Sequence, residues 1–237
     1  MKTFKQFLDE ILQQQPRSQL GSNPGGIYSD TDTGEKFYIK HYENPDQAKV
    51  ETLTGKIYKH MGINTIDPEM HEGTAVKTKW NEHLGYADPR KDLMNPGKKQ
   101  ADQLARMYHG AVLTKNWDIV GLGYDNIMKH KNGNLYAVDH GGAFHFRAQG
   151  DHKEYTPDVN EKHSLVHNDN PSGRVFSELH ANHPDAIKRS LETVKNMDMN
   201  HIHHLFKTSG LDNWQDLHDN FVKRRENLIG SYQHENV

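Results

Sequence analysis

The sequence predicts an α+β protein of two lobes, a small β-rich lobe followed by a mostly helical one. Strand-like runs lie before about residue 80, and hydrophobic residues three and four positions apart dominate after about residue 99. A polar stretch over 83–98 that contains Pro and Gly separates the two regions as a linker. Hydrophobic residues make up only 33% of the 237 residues, and the mean hydropathy is -0.96. Two small cores around an open polar cleft need less apolar mass than one large core, so the composition agrees with two lobes.

The first lobe is predicted over residues 19–82. Alternating runs on either side of Ser29–Gly34, a stretch of turn-forming residues, are typical of a β-hairpin. A helix that follows Asn44 and Pro45 is expected to end at Gly62. The predicted elements are, in order, strands at 27–28 and 37–39, a helix over 45–61 and short strands at 65–66 and 74–80.

The second lobe is predicted over residues 99–237. Its strand content is one hairpin around a Lys-Asn-Gly-Asn turn, and the remaining elements are helices. An irregular polar segment is expected at 148–171. The predicted elements are a helix over 99–113, strands at 126–128 and 135–138, and helices at 172–182, 184–208 (with a break) and 212–230.

Composition excludes several classes of protein. The chain has no cysteine, which excludes disulfides, thiolate zinc sites and a cysteine nucleophile. Its net charge of -3 provides no global positive field, so no nucleic-acid partner is expected. No apolar run approaches the ~18 residues of a membrane span, and the N-terminus lacks a secretory signal. We therefore expect a cytoplasmic protein without a membrane partner, and we expect most of its 18 histidines at the surface.

A glycine-rich segment directly precedes the first strand of the predicted hairpin. Glycines leave backbone N–H groups open to phosphate oxygens because no side chain intervenes. An ordinary turn is the alternative interpretation. The candidate nucleotide-binding residues are Gly21, Ser22, Asn23, Gly25 and Gly26.

Lys40 ends the second strand of the hairpin, and Glu51 lies in the helix that follows. A lysine at this position could reach nucleotide phosphates, and a carboxylate on the helix could hold the lysine toward them. Separately, each residue is also compatible with a solvated surface position.

Oxygen-bearing side chains lie at one end of the second hairpin. Asn126 enters its first strand, and Asp139 follows its second strand. Amide and carboxylate oxygens are ligands that suit a Mg²⁺ ion bridging nucleotide phosphates. Asp118 and Asp125 precede the same strand, and either could act as a catalytic base.

The order of these residues resembles the atypical branch of the protein-kinase-like fold, which includes HipA-type and phosphatidylinositol-kinase-type enzymes. The segment from Gly123 to Met128 is similar to the end of a lipid-kinase catalytic loop, and Val138 to Gly142 is similar to the kinase metal-binding segment. The resemblance implies ATP and Mg²⁺ as cofactors, with the glycine-rich segment over the phosphates, a Lys40–Glu51 pair, and Asn126 and Asp139 as metal ligands. It further implies phosphoryl transfer, with a protein Ser/Thr hydroxyl as the first acceptor to consider.

Two departures leave alternatives open. The sequence has no His-Arg-Asp triplet, and Asp118, the preferred base, lies eight residues before Asn126 where kinases have about five. A Pro also interrupts the glycine-rich segment. A small-molecule or lipid acceptor, transfer of AMP, and an inert binding module of the same fold are therefore alternative hypotheses.

The N-terminal segment 1–18 is predicted to form an amphipathic leader helix ended by Pro16, with an ordinary docking helix as the alternative function. Residues 1–10 resemble the capsid-targeting leaders of internal head proteins in large contractile-tailed phages, with Leu8-Asp9-Glu10 similar to a prohead-protease site. This resemblance implies packaging in a virion and delivery to a host cytoplasm. The apolar residues of the predicted helix are Phe4, Phe7, Leu8, Ile11 and Leu12.

Overall fold

The computed structural model describes residues 12–14 and 23–234. Its first lobe is built on a five-stranded antiparallel sheet in the order β1-β2-β3-β5-β4. One long helix packs against this sheet. The elements are β1 (Leu12–Gln14), β2 (Gly25–Asp30), β3 (Lys36–His41), α1 (Pro45–His60), β4 (Glu69–His71) and β5 (Ala75–Lys79).

Local chemistry explains the hairpin and α1, and both predictions are confirmed. The Asp30 carboxylate accepts the amides of Asp32 and Thr33, and Gly34 adopts a φ of 71°, which together form the turn between β2 and β3. At the start of α1 the Asn44 side chain accepts the amide of Asp46. The turn thus sets where β3 begins, and the Asn44 cap sets where α1 begins.

The segment between the lobes has more structure than the predicted linker. It contains β6 (Leu84–Tyr86) and a π-helix (Pro89–Met94), which Asp88 caps through the amides of two residues in its first turn. β6 pairs with β7 (Ile127–His130), which pairs with β8 (Leu135–Ala137), in a separate antiparallel sheet. The linker therefore forms an edge of the sheet that carries the second hairpin.

The rest of the second lobe is helical. The predicted break within 184–208 is confirmed, because the chain forms two helices there. The segment 148–171, predicted to be irregular, contains a short helix at its end. The helices are α2 (Lys98–Thr114), α3 (Glu161–His167), α4 (Pro171–Asn182), α5 (Pro184–Lys195), α6 (Met199–Lys207) and α7 (Trp214–His234).

The two predicted cores are unequal in size. One large cluster of buried apolar side chains runs from α1 through α2 to α7, and it includes Leu104, Met107, Tyr108 and Ala111 of α2. Among the described residues, a second cluster is formed by Tyr42, Ala48 and Val76, between the sheet and α1. The first lobe thus depends on its contacts with the second for most of its apolar packing.

The prediction of a leader helix is wrong at the C-terminal end of that segment. Residues 12–14 form β1, which pairs antiparallel with β2 in the register Leu12 to Asp30. Strand pairing with the edge of the hairpin overrides the helical spacing of the sequence. The remainder of the predicted helix, residues 1–11 and 15–18, lies outside the described residues. Across the described ranges 12–14 and 23–234, no helix is both long and apolar enough to cross a membrane.

Candidate active site

A cleft lies between the sheet of the first lobe and the β6–β7–β8 sheet. It encloses about 960 Å³, including its opening to solvent. Its apolar walls come from both lobes, and its polar end contains the predicted lysine–glutamate pair and the two predicted metal ligands. The apolar residues include Ile66, Val76, Leu84, Met128 and Val138, and the polar ones include Lys40, Glu51, Asp125, Asn126 and Asp139.

Lys40 connects the two lobes at the polar end of the cleft. Its Nζ lies 2.6 Å from Asp139 Oδ1 and 3.6 Å from Glu51 Oε2, so the predicted Lys40–Glu51 pair is present in the structure. Burial alone would lower the pKa of Lys40, but the nearby carboxylates Glu51 and Asp139 raise it. Lys40 therefore stays cationic inside the cleft.

Glu51 is buried on α1 and is oriented by a residue that the sequence patterns did not indicate. The Tyr42 hydroxyl donates to Glu51 Oε2, and the Tyr42 ring lies 4.8 Å from the Lys40 ammonium. Burial raises the pKa of Glu51, while the charge of Lys40 opposes that rise. Tyr42 lies two residues after Lys40, on the same face of the extended chain, and this spacing is the signal that could have found it.

Gly25 brings two backbone segments close together beside Lys40. It faces Lys40 across the β2–β3 ladder, and a Cβ at this position would lie 2.5 Å from the Ile39 carbonyl oxygen. A side chain would push β2 away from the strand that carries Lys40. Gly26 continues β2, and Asn23 lies in the bend before it. Gly21 and Ser22 lie outside the described residues, so the prediction for them stays untested.

Asn126 and Asp139 share the open end of the β7–β8 hairpin, as the sequence predicts. The Asn126 carbonyl accepts the amide of Val138, which places the next residue, Asp139, across from Asn126. Asp139 adopts a left-handed backbone with φ 57°, and its carboxylate is 44% exposed to the cleft. A non-glycine residue in this conformation carries a small strain, which is typical of functional positions.

Asp118 is joined to this hairpin end through Asn126. The Asn126 amide donates to the Asp118 carbonyl at 2.7 Å and to its carboxylate at 3.2 Å. Burial, and then the charge of Asp139, raise the pKa of Asp118 to about 6. The competing candidate, Asp125, is exposed and lines the cleft, and its Oδ1 lies close to Gly121, where a Cβ would be 2.1 Å from it.

The residues at this end fit a Mg²⁺ ion. The Asn126 Nδ2 group is used in the bonds to Asp118, which leaves Oδ1 as its ligand atom, beside the exposed carboxylate of Asp139. Within the described part of the chain, no group of three His, Asp or Glu side chains forms a metal cage. Mg²⁺ suits such a set, because it is usually held by one or two protein groups together with water and substrate phosphates.

Two further features of the site were not predicted. Gln47, in the first turn of α1, donates to the carbonyl oxygens of Gly141 at 3.2 Å and Arg147 at 3.3 Å, and so holds the segment after Asp139 against α1. His140 is buried, with Nε2 2.7 Å from Thr65 Oγ1, and burial lowers its pKa to about 4. No short sequence pattern marks Gln47, since its partners are backbone atoms about 100 residues away.

Comparison with known proteins identifies the fold. No protein family and no curated protein sequence matches this chain. Among solved structures, the chain is similar to the proinflammatory kinase CtkA of Helicobacter pylori, with a TM-score of 0.60, 14% identity, and 92% of this chain and 94% of that chain covered. It also matches choline kinase LicA from Streptococcus pneumoniae, with a TM-score of 0.42, 11% identity, and 94% and 97% covered. The fold is the two-lobed α+β fold of kinases.

Proposed function

We propose that this protein is a Mg²⁺- and ATP-dependent phosphotransferase that acts on a protein Ser/Thr hydroxyl. The observation that supports it best is the Lys40 ammonium between Glu51 and Asp139, because these three side chains come from three separate elements and meet at one end of an apolar cleft. Kinase-fold enzymes need such a pair and a metal-binding Asp in place together. The similarity of fold to CtkA, which is named as a kinase, agrees with the proposal.

The cleft offers complementary surfaces for the two ends of ATP. The apolar walls at Val76, Leu84 and Met128 suit a flat base, which can lie between side chains from both lobes. The phosphates would then extend toward Lys40 at the polar end. A bound Mg²⁺ would neutralise the charge that develops on the transferred phosphoryl group.

Asp118 is the residue that we assign as the base. A pKa of about 6 keeps its carboxylate mostly ionised at neutral pH and still basic enough to accept a proton from a hydroxyl. Asn126 orients it, and Lys40, which Glu51 holds in place, would hold the phosphates in line. In this scheme the acceptor oxygen attacks the γ-phosphorus, the bond to the bridging oxygen of ADP breaks, and the proton moves to Asp118.

The experiment combines ligand binding with transfer of label from [γ-³²P]ATP, using casein and the protein itself as acceptors. ATP with Mg²⁺ at a hundred times its Kd should stabilise the protein by about 2.7 kcal/mol in thermal unfolding. Asp139→Asn should abolish label transfer, and Asp118→Asn should lower it about 10²–10⁴-fold. The rate should fall as pH decreases through about 6, because Asp118 must lose its proton before it can accept one.

Asp125→Asn is the matched control, and it should keep both the activity and its pH dependence. Stabilisation by ATP with no transfer to any acceptor would indicate an inert binding module, and a product heavier by AMP would indicate adenylyl transfer. If Asp125→Asn removes the activity and Asp118→Asn does not, the assignment of the base is wrong.

The leader resemblance gives a second, separate part of the proposal. We propose that residues 1–10 direct the protein into a phage head, where the prohead protease would cut after Glu10. Mass spectrometry of purified particles tests this proposal. A peptide that begins at Ile11 supports it, whereas an intact Met1 terminus, or absence of the protein from particles, contradicts it.

A further inference from the structure

Three cationic side chains surround the ring of Trp117 beside the candidate active site. Lys153 Nζ lies 4.6 Å from the ring centroid, Arg147 Cζ 5.5 Å and Lys115 Nζ 5.9 Å. Distances within ~6 Å of a ring face are those of cation–π contacts. We call these four residues the Trp117 cluster. Its cations come from the end of α2 and from the loop after Asp139, so the fold, and not local sequence, brings them together.

The positive charges of the cluster are not balanced by the acidic groups around them. Glu161 Oε2 binds Arg224, and Glu161 Oε1 accepts the Trp117 indole N–H at 3.1 Å and lies 3.7 Å from Lys115. Asp158 adds a second carboxylate near Lys115 and Arg224. No carboxylate among the described residues lies within ion-pair distance of Lys153 or Arg147.

Lys153 is the member of the cluster whose ammonium is both buried and without a carboxylate partner among the described residues. It is 9% exposed, and its ammonium donates to the Gly142 carbonyl at 2.7 Å. Burial, and then the charges of Lys115 and Arg147, lower the pKa of Lys153 to about 7 against the pull of Glu161. A buried ammonium without a carboxylate is unfavourable, so an anion that binds here would relieve the repulsion.

The Trp117 cluster adjoins the two segments that carry the candidate base and the candidate metal ligand. Trp117 directly precedes Asp118, and Gly142 lies three residues after Asp139. The cluster therefore borders both the candidate base and the candidate metal ligand. Its outer members are open, since Trp117 is 40% exposed and Arg147 is exposed. A peptide can therefore contact these two side chains from solvent.

We propose that the Trp117 cluster binds the carboxylate of an Asp or Glu that flanks the acceptor Ser/Thr, and so selects acidic peptides. This inference rests on the proposed function, because it names the acceptor of that reaction. Arg147 would make the bidentate contact to the carboxylate and Lys153 would supply the inner charge, while Trp117 holds both cations in place.

The experiment uses synthetic peptides with one Ser flanked by Glu, Gln, Lys or phosphoserine. The full chain is assayed for transfer from ATP, and peptide binding is measured independently by tryptophan fluorescence, with Trp117→Phe as the blank. We expect the KM and Kd of the Glu peptide to be about tenfold lower than those of the Gln peptide, because hydrogen bonds to charged groups are the stronger ones.

The variants separate recognition from catalysis. Arg147→Gln and Lys153→Gln should each remove most of the preference for Glu, measured as the ratio of the KM and of the Kd between the Gln and Glu peptides. Lys195→Gln is the matched control and should keep the preference, because Lys195 lies on α5 and pairs with Glu192 at 2.7 Å. The Arg147 variant keeps the test valid if the Lys153 variant does not fold. Among the described contacts, the Arg147 guanidinium touches only the exposed ring of Trp117, so its replacement should not disturb the fold.

The two proposals fail in different ways. Equal KM and Kd for the Glu and Gln peptides, or a preference for Lys, overturns the acidic-peptide inference and leaves the phosphotransferase proposal intact. A preference for phosphoserine alone also overturns it, because a carboxylate would then not be the ligand. Tight binding of the Glu peptide without any transfer supports the cluster as an acidic-peptide site and contradicts the proposed activity.

Discussion

In each lobe a buried cation pairs with a buried glutamate, and the Arg224–Glu161 and Lys40–Glu51 pairs differ in how completely they are satisfied. In the helical lobe the fully buried Arg224 donates to Glu161 and to four backbone carbonyls. At the cleft, Lys40 has Glu51 at 3.6 Å and Asp139 at 2.6 Å, and the latter is 44% exposed.

The difference indicates which pair is structural and which is available for chemistry. Arg224 has no donor left for a ligand, and its partners belong to α2, α3 and the segment before α3, so it joins parts of one core. Lys40 is held more loosely, beside a carboxylate that faces solvent. A phosphate or a metal ion could therefore replace part of its present coordination without exposing the core.

Removal of Arg224 should produce the largest effect. Arg224→Met keeps the bulk of the side chain but leaves Glu161 and four carbonyls without a donor, so we expect the free energy of unfolding to fall by about 3–5 kcal/mol. Urea denaturation measures this change. The affinity for ATP of the fraction that stays folded should be unaltered.

The neighbouring Arg225 provides a matched control on the same helix. Its guanidinium donates to the Val194 and Lys195 carbonyls at 2.9 and 2.6 Å and is only partly buried. Among residues 12–14 and 23–234 it has no carboxylate partner. Arg225→Met should cost about 1 kcal/mol. Equal losses of unfolding free energy in the two variants would mean that the buried Arg224–Glu161 pair stabilises the second lobe no more than the hydrogen bonds of Arg225 do.

Neutralisation of Glu51, the glutamate of the cleft pair, should lower activity and leave stability nearly unchanged. In Glu51→Gln the amide oxygen can still accept from the Tyr42 hydroxyl, but Lys40 loses the negative charge that holds it. We therefore expect label transfer to fall about 10²-fold, which is typical when one preorganised electrostatic contact is lost. Stability should change little or increase, because the variant no longer buries a carboxylate.

Asp46→Asn is the control on the same helix. Asp46 pairs with Lys49 at the surface, at 2.7 Å, and such pairs contribute about 0.2–1 kcal/mol. Both its activity and its stability should therefore stay near those of the wild type. A loss of stability in Glu51→Gln as large as that in Arg224→Met would show that the two pairs have the same structural role.

The difference between local signals and contacts of distant segments explains which features the sequence could predict. Periodicity and turn chemistry predict α1, α2 and both hairpins, because their signals are local, and the order of Lys40, Glu51, Asn126 and Asp139 predicts the composition of the cleft. β1 was missed because pairing with β2 decides its structure. The roles of Tyr42, Gln47 and the cations around Trp117 depend on contacts between distant segments, such as Gln47 with Gly141. No local pattern reports these contacts.

The last prediction is a difference in how the large core and the cleft respond to acid. His109, in the large core, is bound on both ring nitrogens, to Ser190 and Tyr232, and burial lowers its pKa to about 3. His140, at the cleft, has a pKa of about 4. Below about pH 6.5 the unfolded chain protonates each histidine while the folded chain does not, so each lowers the free energy of unfolding by about 1.4 kcal/mol per pH unit.

Asp118 should oppose this loss, and only at the cleft. Its raised pKa of about 6 means that the folded protein binds the proton more tightly than the unfolded chain does. Between pH 6 and its ordinary pKa of 3.8, acid therefore stabilises the protein through Asp118.

Urea denaturation between pH 7 and 4.5 can separate these contributions through differences between wild type and variants. His109→Asn and His140→Asn should each flatten the loss of stability in acid, whereas Asp118→Asn should steepen it. A flatter curve for Asp118→Asn would mean that its carboxyl is not held at a raised pKa, and the case for a base at this position would lose its physical support. The opposite signs would show that ionised Asp118 costs stability at neutral pH, as expected for a group whose position serves chemistry.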